Sequence, residues 1–385
     1  MLEKTVEWIR KNRIDVLVLA VGLLLFALCA FWANSGRQQR DTDGDYALYE
    51  NARVLEILKD TTSQDEASDG GWRGEQMLTA EVTTGKFKGT TMLVYNYVGP
   101  LYGVPVKAGD SVTLIISTYA DGSHAATVYE YNHSTILLVL VALFIIAIVA
   151  VGGKSGLKSL IGLIFMALTL FTILLPGLLK GAPTILTAFM VCVLSAMFTY
   201  TVMSGVNRKT ICAFLGTVAG MLTALLFAAG AQALLRINGL RITDAEALLQ
   251  LRQTGTPIGL KGLLSAGVVI SSLGAVMDVA MGLASAISEL HEANRELTFG
   301  QLFRSGMNIG KDMVGTMTST LILALLGGEL VLMLYLYSLG LQKYQLLSSA
   351  YVSVEAVSAL ACSIGVILSI PITNFVSAKM FSARN

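Results

Sequence analysis

The chain has 385 residues, of which 54% are hydrophobic and 14% charged, with a formal net charge of +1. A soluble fold of this size carries nearer a quarter charged residues, so the composition excludes a chain that is water-soluble throughout. The near-zero net charge names no partner by itself, and no nucleic-acid partner is expected.

In chain order, Lys4, Arg10, Lys11 and Arg13 precede an apolar run from Ile14 to Ala33. About 20 apolar residues suffice to cross ~30 Å of hydrocarbon as a helix. The run is long for a signal-peptide core, and no small-x-small cleavage site follows it. An uncleaved anchor is therefore expected.

Residues 34–132 change character, with 14 acidic and 8 basic side chains. The stretch Asp41–Gly74 is polar, with an acidic linker around Asp60–Asp69. Four runs then read as strands, Met77–Thr84, Phe87–Tyr97, Ser111–Tyr119 and Ala125–Tyr131, separated by glycine-containing turns. They predict a small β-barrel or half-barrel of about 55 residues. Asp41-Thr42-Asp43-Gly44-Asp45 resembles the start of a calcium loop. Tyr46 and Ala52 stand where that pattern needs glycine and glutamate, so a solvated acidic linker is expected.

Seven apolar segments follow, at about 134–151, 157–178, 183–204, 210–235, 258–288, 312–337 and 345–377. They are continuous rather than alternating, which in lipid favours helices over a barrel. The connection at 236–257 is amphipathic and suited to an interface. The predicted fold class is an α-helical polytopic membrane protein of about eight transmembrane helices, with a small β-rich extracytoplasmic domain after the first. The domains are 1–33 (cytoplasmic tail and anchor), 34–132 (extracytoplasmic domain) and 133–385 (seven-helix bundle).

Lys and Arg mark the cytoplasmic side. An N-terminus inside puts 13 of the 27 basic residues in cytoplasmic segments, six in short outer loops and eight in the acidic domain. Both termini are then cytoplasmic. Cys29, Cys192, Cys212 and Cys362 all lie in apolar runs without metal-ligand spacing and read as packing residues. No metal and no cofactor are expected.

Ionisable groups inside membrane helices are costly and ask for a reason. Asp278 lies well inside its run, on a face of small residues comprising Gly267, Ser271, Gly274, Gly282 and Ser285. Small-residue faces allow helices to approach closely in lipid, so Asp278 is expected to face protein or a cavity. The next helix places Asp312, Gly315, Thr316 and Ser319 on one face, and the last carries Glu355, Cys362 and Ser369 on one stripe, with a kink expected at Pro371. Asp278, Asp312, Glu355, Thr316, Ser319 and Ser271 are the candidate ion-coupling or translocation residues. The competing reading makes these carboxyls hydrogen-bonded packing groups. Glu329, beside Gly327-Gly328, reads as interfacial. No phosphate-binding loop, protease signature or nucleophile–base pair is present, and no enzymatic activity is expected.

The segment Gly274-Ala275-Val276-Met277-Asp278-Val279-Ala280-Met281, running on to Ala286-Ile287-Ser288-Glu289-Leu290, resembles the YibE/F family of bacterial membrane proteins, as does Gly310–Thr320. The resemblance spans about 134–380 and implies a multi-pass protein of the bacterial inner membrane. Shorter relatives lack the external domain, which implies a homo-oligomer or pairing with a YibE/F-like paralogue. The last three helices also look like the distal half of proton-coupled RND transporters and the SecD/SecF proteins, where an Asp matching Asp278 is implicated in proton coupling. The resulting expectation is a transporter or membrane component of an export assembly, of unspecified small-molecule or ion substrate. The rival expectation is a scaffold that presents the external domain to envelope partners.

Overall fold

The structure is a computed structural model that describes residues 13–35, 47–119, 122–237, 245–253, 255, 257–260 and 262–382. The Asp41–Asp45 segment lies outside the described residues, as do Lys4, Arg10, Lys11, Arg241, Lys261 and Arg384. The chain divides into two compact units, Gly36–Ala147 and Met1–Ser35 together with Ile148–Asn385.

The first unit holds strands β1 (Ala47–Asp60), β2 (Ser63–Asp65), β3 (Gly71–Val82), β4 (Thr91–Val98), β5 (Ser111–Thr118) and β6 (His124–Tyr131). They run β1-β5-β6-β4-β3, and β3 pairs back onto β1, so five strands close into a barrel with β2 added on β3. Every pairing is antiparallel except β4 with β6. This is the connectivity of OB-type Greek-key barrels. The interior is filled by alternate residues of each strand, among them Val54, Leu78, Val94, Leu114, Ile116 and Ala126.

The barrel is larger than expected. Its first strand comes from the polar stretch in which no strand was expected, and β4 starts at Thr91 rather than Phe87. Register shifts between Val54 and Glu56 and between Ile57 and Lys59 interrupt the alternation of β1, which is why its pattern was hidden. Part of the acidic stretch is also ordered. Asp65 accepts from the Ala67 N–H at 3.1 Å and from Arg73 Nε at 2.5 Å, holding a single 3₁₀ turn at Glu66–Ser68.

Two polar side chains sit inside this barrel. Gln76 and Asn96 are 2% and 1% exposed. Asn96 Nδ2 donates to Gln76 Oε1 at 2.9 Å and to the Val104 carbonyl at 2.7 Å. The Val106 N–H donates to Gln76 Oε1 at 2.9 Å, and Gln76 Nε2 donates to Asp60 at 2.8 Å. The loop between β4 and β5 is thus fastened into the barrel by groups that would be costly to leave unpaired.

The helices are α1 (Arg13–Asn34), α2 (Ser134–Thr169), α3 (Leu175–Leu179), α4 (Thr184–Ser204), α5 (Arg208–Leu235), α6 (Ala245–Gln253), α7 (Leu263–Ala293), α8 (Phe299–Gly328), α9 (Leu330–Ser338), α10 (Lys343–Leu347) and α11 (Ala350–Phe381). A single π-helical stretch, Leu170–Leu174, joins α2 to α3.

Among the described residues, seven helices are long and apolar enough to cross a membrane, where eight were expected. The difference falls on Ser134–Leu179, 46 residues that count as one candidate span. Two helices meet there at a sharp kink, at the turn expected over residues 152–156, with Gly153 at φ 52° and ψ −129°. Only glycine adopts those angles easily, so the chain turns without a loop, and a Cβ on Gly156 would lie 2.3 Å from the Ile148 carbonyl oxygen. The helix α8 begins well before the expected 312, because Thr298 and Gln301 form a capping box ahead of its polar first turns. Pro371 lies inside α11, which continues through it to Phe381.

The centre of this unit is the mutual packing of α5, α7 and α11, with α8 against α11. Glycines make the approach possible. A Cβ on Gly220 would lie 2.6 Å from Val276 Cγ1 and 2.8 Å from Ser369 Cβ, and one on Gly365 would lie 2.7 Å from Ala224 Cβ. The helix α1 packs through Phe26 on Phe165, with ring centroids 5.4 Å apart. Its two ends are fastened as well: the Val206 N–H donates to Asp15 at 2.7 Å, and Asn34 Nδ2 donates to the Thr172 carbonyl at 2.9 Å.

Candidate functional site

Because α7 starts at Leu263 and ends at Ala293, Asp278 stands at its midpoint. The buried face of α7, including Val269, Leu273, Val276, Ala280 and Leu283, packs into the core. Its other face carries Gly267, Ser271, Gly274, Asp278 and Gly282, all exposed. A Cβ on Gly267 or Gly274 would meet nothing within 4 Å, while one on Gly282 would touch Met313 of α8 at 3.1 Å. The small-residue face is therefore open over most of its length. Among the described residues, no hydrogen bond or ion pair to the Asp278 carboxyl is found.

Behind Asp278 lies a buried polar contact. The Tyr200 hydroxyl is 2.6 Å from Thr217 Oγ1 and 3.0 Å from the carbonyl of Met277, the residue before Asp278. Sequence reasoning missed this pair. A tyrosine near the end of an apolar run was the available sign, since a buried phenol usually finds a partner.

The other candidates do not gather around Asp278. Asp312, Thr316 and Ser319 lie on an exposed face of α8. Ser319 donates to the Gly315 carbonyl at 2.8 Å and Thr316 to the Met313 carbonyl at 3.2 Å, so these hydroxyls are occupied by their own helix. The Ser271 hydroxyl instead reaches Cys362 of α11, at 3.1 Å from its sulfur. Ser369 is buried where α11 crosses Gly220, so most of the expected Glu355–Cys362–Ser369 stripe serves helix packing.

Glu355 has a partner the sequence did not indicate. It lines a cavity of about 710 Å³ with Glu329, among Leu325, Leu332, Leu336, Leu346, Val352, Ala356 and other largely apolar residues. The helical chain between the two glutamates folds back through α9 and α10, which sets both carboxyls on one cavity.

A family model described as YibE/F-like protein matches residues 140–383. The chain belongs to the YibE/F-like family. No curated protein and no solved structure matches it. The YibE/F-like segment begins within α2 and contains every candidate residue from Ser271 to Glu355, whereas the barrel strands precede it. With its apolar helices, this YibE/F-like chain is a membrane protein.

Proposed function

We propose that this chain is a bacterial inner-membrane transporter, or the membrane component of a translocation or export assembly, coupled to a proton or another cation through Asp278. It has no enzymatic role in this reading, both termini are cytoplasmic, and the transported species is a small molecule or ion. One observation carries the proposal: a carboxyl at the midpoint of an apolar helix, on an open face, with no partner among the described residues. A charge left in that position against lipid is costly, so water or a second subunit must meet it. A second copy, or a YibE/F-like paralogue, would cover the small-residue face and complete a path beside Asp278.

The closed barrel favours the rival scaffold reading, in which the helices anchor a module for envelope partners. One substitution separates the two. Asp278→Asn keeps the shape of the side chain and cannot ionise. Coupling requires normal membrane abundance and thermal stability together with loss of the phenotype that the wild-type gene restores to a deletion strain. Full restoration by Asp278→Asn sinks coupling and leaves the scaffold. In the same strain, a cysteine replacing Gly274 should cross-link to a second subunit; a purely monomeric product removes the interface.

A further inference from the structure

The cavity between α8, α9 and α11 is separate from the Asp278 face. Its volume, about 710 Å³, lies within the roughly 300–1,000 Å³ of sites that hold drug-sized molecules. Its wall is mainly aliphatic, from Leu325, Leu332, Met333, Leu336 and Leu346, with Tyr337 contributing an aromatic ring. Two carboxylates, Glu329 at the end of α8 and Glu355 on α11, interrupt that wall. Both line the same cavity. Among the described residues, no hydrogen bond or ion pair to either carboxylate is found.

Each property narrows the occupant. The aliphatic wall favours an apolar body and disfavours a hydrated metal ion, which would have to shed water against carbon. Two unpaired acidic groups exclude an anion and reward a positive charge, and they do so strongly where water is scarce. Tyr337, largely exposed at the cavity's edge, adds the one kind of side chain on this wall whose ring can attract a cation. Surrounding helices with large exposed apolar side chains, such as Leu330, Val331 and Leu334, place the cavity among lipid-facing surface, where a molecule dissolved in the bilayer can reach it.

We propose that this cavity is a binding site for lipophilic organic cations, with Glu329 and Glu355 as the charge-recognising residues and the leucine wall holding the apolar body. The site stands whether or not Asp278 couples to anything, because binding alone defines it.

The test uses the full chain purified in an uncharged maltoside detergent, with tetraphenylphosphonium as the probe, by equilibrium dialysis. The wild type should bind it saturably at one site per chain. Glu329→Gln and Glu355→Gln should each weaken binding by about tenfold, the equivalent of ~1.4 kcal/mol, and the double variant should lose it. Ala356→Trp, which fills the cavity and keeps both carboxylates, should also lose it, so the test survives a misfolded double variant. Tetraphenylborate, of similar shape and opposite charge, dialysed separately and without the phosphonium, should not bind saturably. Equal phosphonium binding by wild type and the variants, or saturable binding of the borate, would mean that charge is not recognised in this cavity and overturn the proposal. Loss of wild-type binding on transfer to phosphatidylethanolamine bilayers would assign the cavity to an aminolipid headgroup and overturn it as well.

Discussion

The two units differ less in what they bury than in what they leave on the outside. The barrel hides Val54, Leu78, Val94, Leu114 and Ile116 and shows water the side chains that alternate with them. The helical unit buries Leu273, Leu283 and Ile287 beside many small residues, among them Ala196, Ala213, Ala224, Ala280 and Ala361, and also places Leu186, Leu226 and Val331 outside. The solvent explains the contrast. Water expels apolar area, so a barrel gains by burying large hydrophobes. Lipid does not distinguish a leucine from itself, so helices in it are held by close approach and local hydrogen bonds. Even the polar groups differ. Gln76 and Asn96 bridge a loop across the barrel, whereas Thr316, Ser319 and Thr320 bond back to their own helix.

The largest effect should come from breaking the close approach. Gly220→Leu puts a side chain where Val276 and Ser369 already are, with no flexible neighbour to yield. A loss of at least about 3 kcal/mol is expected, seen as collapse of the monodisperse peak in detergent after mild heating. On the same helix, Gly230→Leu meets nothing within 4 Å and should be silent. Equal tolerance of both would mean that the α5–α11 crossing does not hold the bundle together.

Next comes the contrast between a buried and an exposed leucine. Leu114→Ala empties a fully buried position in the barrel and should cost about 2–5 kcal/mol, read as faster amide exchange throughout β1, β5 and β6 in the full chain. Leu226→Ala, at a side chain 63% exposed on α5, should change the thermal transition by less than about 0.5 kcal/mol. A large loss at Leu226 would show that this face is buried by protein rather than lipid.

The smallest effect is the response to acid. The Arg73 guanidinium holds the Asp65 carboxyl below its usual range, and the Thr62 hydroxyl does the same for Asp60. A carboxyl lowered in the folded state stabilises it above the unfolded value, near 3.8, and that contribution fades as pH falls through the folded value. Acidification below about pH 4 should therefore loosen β2 against β3. Fluorescence of Trp72, in a background where Trp8 and Trp32 are phenylalanine, should report it, and Arg73→Gln should remove most of the change. An unaltered acid response in Arg73→Gln would refute the Arg73 contribution.

Parts of this architecture were legible because they repeat. Long apolar runs announce helices whatever they pack against, and the alternation in β3, β5 and β6 announces strands. The strand β1 was not legible, because bulges break its period and charged residues dominate its outer face. In the Ser134–Leu179 stretch the glycine-rich segment does mark a turn, but one made at Gly153 with no loop, so the stretch counts as one candidate span. At the site, the sequence singled out Asp278 and its small-residue face. That most of the face stays unpacked within the chain, and that Thr316 and Ser319 turn back on their own helix, depends on which helices become neighbours.

By itself, then, the sequence determined the lipid-embedded class, the presence of a β-rich module and the identity of the costly carboxylates, since each follows from local composition and period. Only the tertiary structure decided that Glu329 and Glu355 share a cavity, that Tyr200 and Thr217 meet behind Asp278, and that β1 closes the barrel. These are contacts between residues 16 or more apart in the chain, fixed by how glycines let helices cross and by how strands register, and no local pattern encodes them.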